Sequence, residues 1–256
     1  MTLEQLIEQG RLNMCMPTYQ RKREDALRVC REQLLTHKRP YLSLSGGKDS
    51  VAMAFLADEA ARETGTDFTI WTHVSSASFP GTLETCQEVA RRLGRKLDVY
   101  DGGDAFAKMS EPQRMAFGKS GTFFESVRAY AADKDLSFVG VRAYESSRRM
   151  QAAKAHGMVF RSESMGGVDV VNPLQWFRLN DVASLLYEFD APIHPVYRKF
   201  ETDTGRNRLG EPHFIRLGYI TSRDLLDKGT AVFLQANYPA QFAALQEQFP
   251  ELRNHV

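Results

Sequence analysis

The stretch Tyr41–Ser50, YLSLSGGKDS, constrains this chain more than any other. Pro40 precedes it, and Tyr41 to Leu44 read as a buried strand. Gly46 and Gly47 allow a tight turn and a close approach of backbone to a ligand. Val51, Ala52, Ala54, Phe55 and Leu56 then follow at helical spacing. A helix starting there presents amide donors that have no partner within the helix, and these attract anions. Lys48 and the hydroxyls of Ser45 and Ser50 add further phosphate contacts. The spacing is not that of a Walker A loop, which places four residues between its first glycine and a Gly-Lys pair.

The rest of the chain alternates strands and helices. The spacing predicts helices over 2–9 and 18–36, then a first strand over 41–44 and a helix that ends at Thr64-Gly65, where glycine caps it. Phe68 to Val74 reads as the second strand and is followed by the loop Ser75–Gly81. A helix over 82–93 stops at Gly94, and Lys96 to Tyr100 reads as the third strand. Helical stretches near 104–117 and 122–132 separate it from a fourth strand, Leu136 to Val141. Beyond a helix over 144–155, two short strands flank Ser164–Gly167, and a helix over 179–189 follows. The polar stretch 198–212 reads as a long loop, with closing helices near 221–228 and 238–248. Such alternation implies a parallel sheet with helices on both faces. The organisation expected is an N-terminal helical segment over 1–39, a nucleotide-binding domain over 40–197, and a loop and helical extension over 198–256.

Composition limits the function classes. With 256 residues, 43% hydrophobic and 25% charged, the chain has the balance of a globular domain. A formal net charge of +1 argues against a nucleic-acid coat or a membrane-surface binder. No apolar run approaches a membrane span, and the first residues lack a signal-peptide core, so a cytoplasmic location is expected. Cys15, Cys30 and Cys86 form no C-x-x-C pair and no disulfide framework. Cys30, on an apolar stripe with Leu27 and Leu34, reads as a buried structural thiol, as does Cys86.

In an open α/β sheet, ligands bind at the carboxyl ends of strands near the point where strand order reverses. Three segments fall at such ends: Ser45–Ser50, His73–Gly81 and Gly140–Arg149. The third puts Arg142, Glu145, Arg148 and Arg149 beside the phosphate loop, and arginine forks bind phosphate or sulfate bidentately. Glu145 is placed to position an arginine or to help hold a metal ion. His73 reads equally as a ligand contact or as a packed side chain. Trp176 and Phe177 read as core, and Arg21-Lys22-Arg23 as a solvated helix face. Arg198, Lys199, Arg206 and Arg208 suit either an anionic second substrate or a solvated loop.

These residues resemble a known family. Ser45–Ser50 resembles the S-G-G-x-D-S loop of the PP-loop ATP pyrophosphatases. Phe79–Glu84 resembles the F-P-E-T stretch of phosphoadenylyl-sulfate (PAPS) reductases. Asn172–Trp176 with Asn180–Val182 resembles their N-P-L-x-x-W…x-D-V segment, and His194–Tyr197 their N-P-L-Y element. The likeness runs from about Tyr41 to Tyr197. It implies a five-stranded parallel sheet of order 3-2-1-4-5, with adenine against backbone around Thr72, His73 and Val74. The departures are specific. PAPS reductases carry a cysteine nucleophile in a C-terminal E-C-G-x-H motif, and this chain has no cysteine after Cys86. Relatives with an iron–sulfur cluster carry R-x-G-C-x-x-C, where this chain has Arg216 to Ser222, with Tyr219 and Ser222 in the cysteine positions. Cluster assembly needs thiolates, so no iron–sulfur cluster is expected.

The resemblance thus implies an ATP-using enzyme with Mg²⁺ as its metal. Ser45, Gly46, Gly47, Lys48, Asp49 and Ser50 would hold phosphates, with Asp49 as the metal ligand. Thr72, His73, Val74, Gly140 and Glu145 would complete the nucleotide site. Lys48, Arg142, Arg148 and Arg149 are the candidate catalytic cations for attack of an acceptor at the α-phosphate with loss of pyrophosphate. The acceptor is left open between an anionic small molecule and nucleic acid. Two alternatives stand beside this reading: a sulfonucleotide enzyme using a partner's thiol, and a non-catalytic nucleotide-binding subunit of a sulfur-transfer or DNA-modification complex. A homo-oligomer or a complex subunit is compatible with either.

Overall fold

The computed structural model describes residues 1–103, 108, 110, 112, 122–199, 206–212, 217, 218, 220, 226 and 229–256. Two helices, α1 (Leu3–Asn13) and α2 (Pro17–Thr36), lead into β1 (Pro40–Ser43) and α3 (Lys48–Thr64). Then come β2 (Thr69–Val74), α4 (Thr82–Leu93), β3 (Leu97–Asp101), α5 (Thr122–Ala131) and β4 (Leu136–Phe138). The chain continues through α6 (Ser147–His156), β5 (Val159–Ser162), β6 (Val168–Val171) and α7 (Leu179–Glu188), and α8 (Thr230–Asn237) and α9 (Pro239–Gln248) follow.

The sheet order is β3-β2-β1-β4-β6-β5. Its first five strands are parallel, in the expected 3-2-1-4-5 arrangement with β6 as the fifth. The sixth strand, the first of the two short strands expected around Ser164–Gly167, corrects the count of five that the resemblance implied. β5 pairs antiparallel with β6, Val159 opposite Val171. Gly166 and Gly167 both have positive φ, which makes this reversal possible.

Helices cover both faces. α3 is buried on nearly every side, from Val51 to Ala61; a helix apolar all round belongs in the middle of a fold. It packs with Leu42, Ile70 and Phe138 of the sheet and with α2, α4 and α7 in the main core. α5 covers the other face, where Val127 and Ala131 meet Tyr41, Trp71 and Val168. A further cluster joins Ala77 and Phe79, from the loop after β2, to Val196, Tyr197, Leu234, Phe242 and Leu252. The described segments after residue 198 therefore pack onto the loop after β2 and onto Val196 and Tyr197.

Several local expectations change. The fourth strand ends at Phe138, and the helix expected over 144–155 is broken into a 3-10 turn, Ala143–Glu145, and α6. Ser146 ends the turn and caps α6, its hydroxyl accepting from the Arg149 amide. Arg21-Lys22-Arg23 is not a purely solvated face. Lys22 pairs with Asp181 at 2.6 Å, and Arg23 with both Glu59 and Glu188 at 2.7 and 2.6 Å, tying α2 to α3 and α7. α8 has no counterpart in the sequence-based expectation. The helix expected over 104–117 and most of that over 221–228 lie outside the described residues.

Candidate functional site

The loop between β1 and α3 is braced by its own hydroxyls. Ser50 Oγ donates to the Gly47 carbonyl (2.9 Å) and accepts from the Ser45 amide (3.2 Å). Ser45 Oγ accepts from the Gly47 amide at 3.3 Å. Gly46 has φ +71°, a conformation that disfavours other residues, and a Cβ there would lie 3.3 Å from the Thr82 carbonyl oxygen at the start of α4. The Lys48 amide donates to the Tyr197 hydroxyl at 3.2 Å. The element His194–Tyr197 thus anchors the first residue of α3.

His194 links the same parts. Its Nδ1 accepts from the Val196 amide at 3.1 Å, which leaves Nε2 to carry the proton and donate to Thr82 Oγ1 at 3.2 Å. Burial pushes its pKa down to about 4, consistent with a neutral ring.

Behind the loop lies a chain of charges. Lys48 Nζ donates to Asp49 Oδ2 (2.6 Å), and Arg142 Nε donates to Asp49 Oδ1 (2.5 Å). Arg142 Nη1 also reaches Glu211 Oε2 at 3.2 Å and the Phe177 carbonyl at 3.4 Å. Glu211 accepts in addition from the Leu179 amide (2.8 Å) and from Arg178 Nη1 (3.2 Å). Lys48, Arg142 and Glu211 are buried. Burial opposes ionisation of Asp49, but the charges of Arg142 and Lys48 outweigh it and hold the carboxyl well below the usual range. A parallel pair stands beside this chain. Glu145 accepts from the Arg142 amide at 3.1 Å and pairs with Arg149.

A cavity of about 760 Å³ opens at the carboxyl ends of β1, β2 and β4, the place expected for a ligand in such a sheet. Ser45, Gly47, Lys48, Asp49 and Ser50 line it, together with Gly140, Glu145 and Arg149. Trp71, His73, Phe123, Phe124, Phe160 and Met165 also line it, with the Phe123 ring 6.0 Å from that of Trp71 and 5.8 Å from that of His73. Burial lowers the His73 pKa to about 4, and its ring stacks on Tyr100 with centroids 5.0 Å apart.

The candidate residues therefore divide. Ser45, Gly47, Lys48, Asp49, Ser50, His73, Gly140, Glu145 and Arg149 line the one cavity. Arg142 is not among the lining residues; its guanidinium is held behind the loop by two carboxylates. Arg148 is exposed and also absent from the lining. Adjacent helical residues diverge by about 100°, so only one of Arg148 and Arg149 can face inward. Thr72 points to the opposite sheet face, against Cys86, as alternation along a strand requires. The Val74 carbonyl accepts from the Gly102 amide at 2.7 Å. Gly140 has a second role: a Cβ there would lie 2.7 Å from the Asp49 carbonyl oxygen, so glycine lets the end of β4 pack against the first turn of α3. Cys30 and Cys86 are buried, as expected. Arg216, Tyr219 and Ser222 lie outside the described residues.

Sequence reasoning missed Glu211, Arg178 and the role of Tyr197. Tyr197 stood in a quoted motif and so carried a signal; Glu211 sat in a stretch read as a loop. For magnesium, both Asp49 oxygens already accept from cations. A carboxylate has about four lone-pair sites, so Asp49 fits as a single ligand to a phosphate-bound ion, not as the anchor of a protein-only site. Among the described residues, no group of three or more His, Cys, Asp or Glu is placed to hold a metal. No helix among the described residues is long and apolar enough to cross a membrane.

The sheet order and the Ser45–Ser50 loop define a Rossmann-like PP-loop domain. The family model of the phosphoadenosine phosphosulfate reductase domain matches residues 39–222, and the chain belongs to that family. An uncharacterized protein of Methanocaldococcus jannaschii is 27% identical over 182 residues, covering 68% of this chain and 35% of that protein. The chain thus spans about a third of the length of this relative. Among solved structures, FMN adenylyltransferase of Candida glabrata, in complex with FAD and inorganic pyrophosphate, superposes with a TM-score of 0.57 at 14% identity, covering 80% of this chain and 70% of that one. NMN synthetase from Francisella tularensis gives 0.53 at 14% identity, covering 93% and 95%. At these identities the likeness establishes the fold.

Proposed function

We propose that this chain binds ATP and cleaves it between the α- and β-phosphates, passing AMP to an acceptor oxygen and releasing pyrophosphate. One observation carries this reading: Gly47 and Lys48 at the N-terminus of α3 and Arg149 of α6 line a single cavity at the strand ends. A helix N-terminus with a lysine suits the terminal phosphates. The structural neighbours named FMN adenylyltransferase and NMN synthetase support the reaction class without fixing the substrate.

In this reading the Ser45–Ser50 loop and Lys48 grip the β- and γ-phosphates. Adenine lies against backbone near the end of β2, between Thr72 and Val74. The acceptor oxygen attacks the α-phosphorus, the bond to the bridging oxygen breaks, and pyrophosphate leaves with the electron pair. Arg149 stabilises charge on the departing group. Arg142 works from behind by holding Asp49, and Arg148 makes no contact. Magnesium, when present, would neutralise phosphate charge, with Asp49 as its one carboxylate ligand. The apolar part of the cavity, beside Phe123, Phe124 and Phe160, favours an acceptor with a flat or apolar portion.

Product analysis tests the proposal. The protein is incubated with ATP, Mg²⁺ and a small-molecule extract as the acceptor source, and nucleotides are separated by chromatography. AMP or an AMP adduct with equimolar pyrophosphate is the expected result. ADP and inorganic phosphate as the main products would overturn the assignment.

A further inference from the structure

Glu211 is buried, yet it comes from beyond the nucleotide-binding core, 69 residues from its partner Arg142. It touches Arg142 and Arg178 and caps α7 through the Leu179 amide. Lys48, Asp49, Arg142 and Glu211 form one continuous chain of ion pairs, two cations and two anions. The neighbouring Glu145–Arg149 pair is also balanced. Arg178 is half-exposed, so solvent screens its charge more than those of the buried members. The Lys48–Asp49–Arg142–Glu211 chain thus sums to no net charge while both its cations stay in place. An uncompensated cation there would bind a polyanion more tightly.

We propose that Glu211 is a positioning residue that sets the charge of the phosphate site, acting through Arg142. Its carboxylate holds the Arg142 guanidinium in the orientation that grips Asp49, and Asp49 in turn orients Lys48. Its negative charge cancels that of Arg142, so Arg142 adds no net attraction for the phosphates held by Lys48, the helix terminus and Arg149, and pyrophosphate is let go. The inference rests on the proposed phosphate site at Ser45–Ser50 and deepens it by stating what limits product affinity.

The test is calorimetric titration of the full chain with pyrophosphate, ATP–Mg²⁺ and AMP. Glu211→Gln keeps an acceptor for the Leu179 amide and leaves the buried chain with one uncancelled positive charge. It should bind pyrophosphate about tenfold more tightly than wild type at low salt, with the gain shrinking as ionic strength rises. AMP affinity should stay within about twofold, since a single phosphate reaches less of the loop. Glu211→Asp, which keeps the charge, should restore wild-type pyrophosphate affinity. Arg178→Gln removes a cation from the other side of Glu211 and should weaken pyrophosphate binding by about two- to threefold. A purely structural role for Glu211 predicts instead that both Gln variants lose affinity for all three ligands and melt earlier; that result, or equal pyrophosphate affinity in wild type and Glu211→Gln, overturns the proposal. Where Glu211→Gln does not fold, Arg178→Gln decides: unchanged or tighter pyrophosphate binding overturns it. Failure of the wild type to bind pyrophosphate or ATP would instead defeat the phosphate-site reading itself.

Discussion

Replacing Gly140 by alanine isolates a contact on which the site is built. Gly140 follows β4, and its added Cβ would lie 2.7 Å from the Asp49 carbonyl oxygen, 2.8 Å from the Asp49 carbonyl carbon and 2.9 Å from Ser50 Cα. All three are backbone atoms in the first turn of α3, so no flexible side chain can swing aside. Carbon atoms pack at about 3.5–4.0 Å, so one backbone must retreat by roughly 1 Å. Overpacking of this kind costs about 1–3 kcal/mol. At about 2–4 °C per kcal/mol for a chain of this size, the melting temperature should fall by about 2–12 °C. The displaced residues are Asp49 and Ser50, which orient Lys48 and brace the loop, so ATP affinity should fall as well. Gly10→Ala is the control. Its Cβ would meet the Ala183 carbonyl carbon at 2.4 Å, where α1 crosses α7. It should destabilise at least as much and leave the ATP affinity of the folded protein unchanged. Differential scanning calorimetry and nucleotide titration measure both. A Gly140→Ala variant that melts within about 1 °C of wild type and binds ATP normally would refute the reasoning.

Two further outcomes follow from the loop and from His194. Lys48→Ala should weaken ATP binding by about 10- to 100-fold, the worth of a charge-assisted hydrogen bond, and spare AMP; equal ATP affinity by calorimetry would remove the loop assignment. For His194, burial holds the folded pKa at about 4, against about 6.5 in an unfolded chain. Its contribution is therefore complete above pH about 6.5 and is lost as pH falls towards about 4, by up to about 3 kcal/mol. His73, also lowered to about 4, adds to the same window. Asparagine at 194 keeps an acceptor for the Val196 amide and a donor for Thr82 without titrating. Melting curves of His194→Asn should thus decline less steeply between pH 7 and 4.5 than those of wild type, and parallel declines would refute the assignment.

The legible part of this protein was the part written in local pattern. The strand–glycine–helix passage at 41–56 placed β1, the loop and α3 because apolar spacing and turn chemistry act over a few residues. Thr64-Gly65 and Leu93-Gly94 closed their helices where glycine adopts positive φ. The order of parallel strands followed from resemblance, and β5 stood outside it because an antiparallel edge hairpin needs only a pair of glycines. Charge roles were much less legible. Arg142, Arg148 and Arg149 look alike as neighbours in sequence, yet one is buried behind the loop, one is exposed and one faces the cavity. What separates them is helical phase and the carboxylates that meet them, and those come from positions 49, 145 and 211. Arg23 misread for the same reason, since its partners Glu59 and Glu188 lie on other helices.

That long-range pairing bears on how the site would accept a nucleotide on the proposed reading. Lys48 is committed to Asp49, and Arg149 to Glu145. On the proposed reading, phosphates must draw both cations away, and a buried carboxylate stripped of its partner is costly. Each carboxylate here has a second donor: Asp49 keeps Arg142 Nε, and Glu145 keeps the Arg142 amide. A single residue, through its side chain and its backbone, thus covers both carboxylates when the cations turn to phosphate. Its own guanidinium is in turn covered by Glu211 and the Phe177 carbonyl. On the proposed reading, the phosphate contact expected of Arg142 falls to Arg149, and Arg142 is the fixed counter-charge that lets Lys48 and Arg149 turn to phosphate.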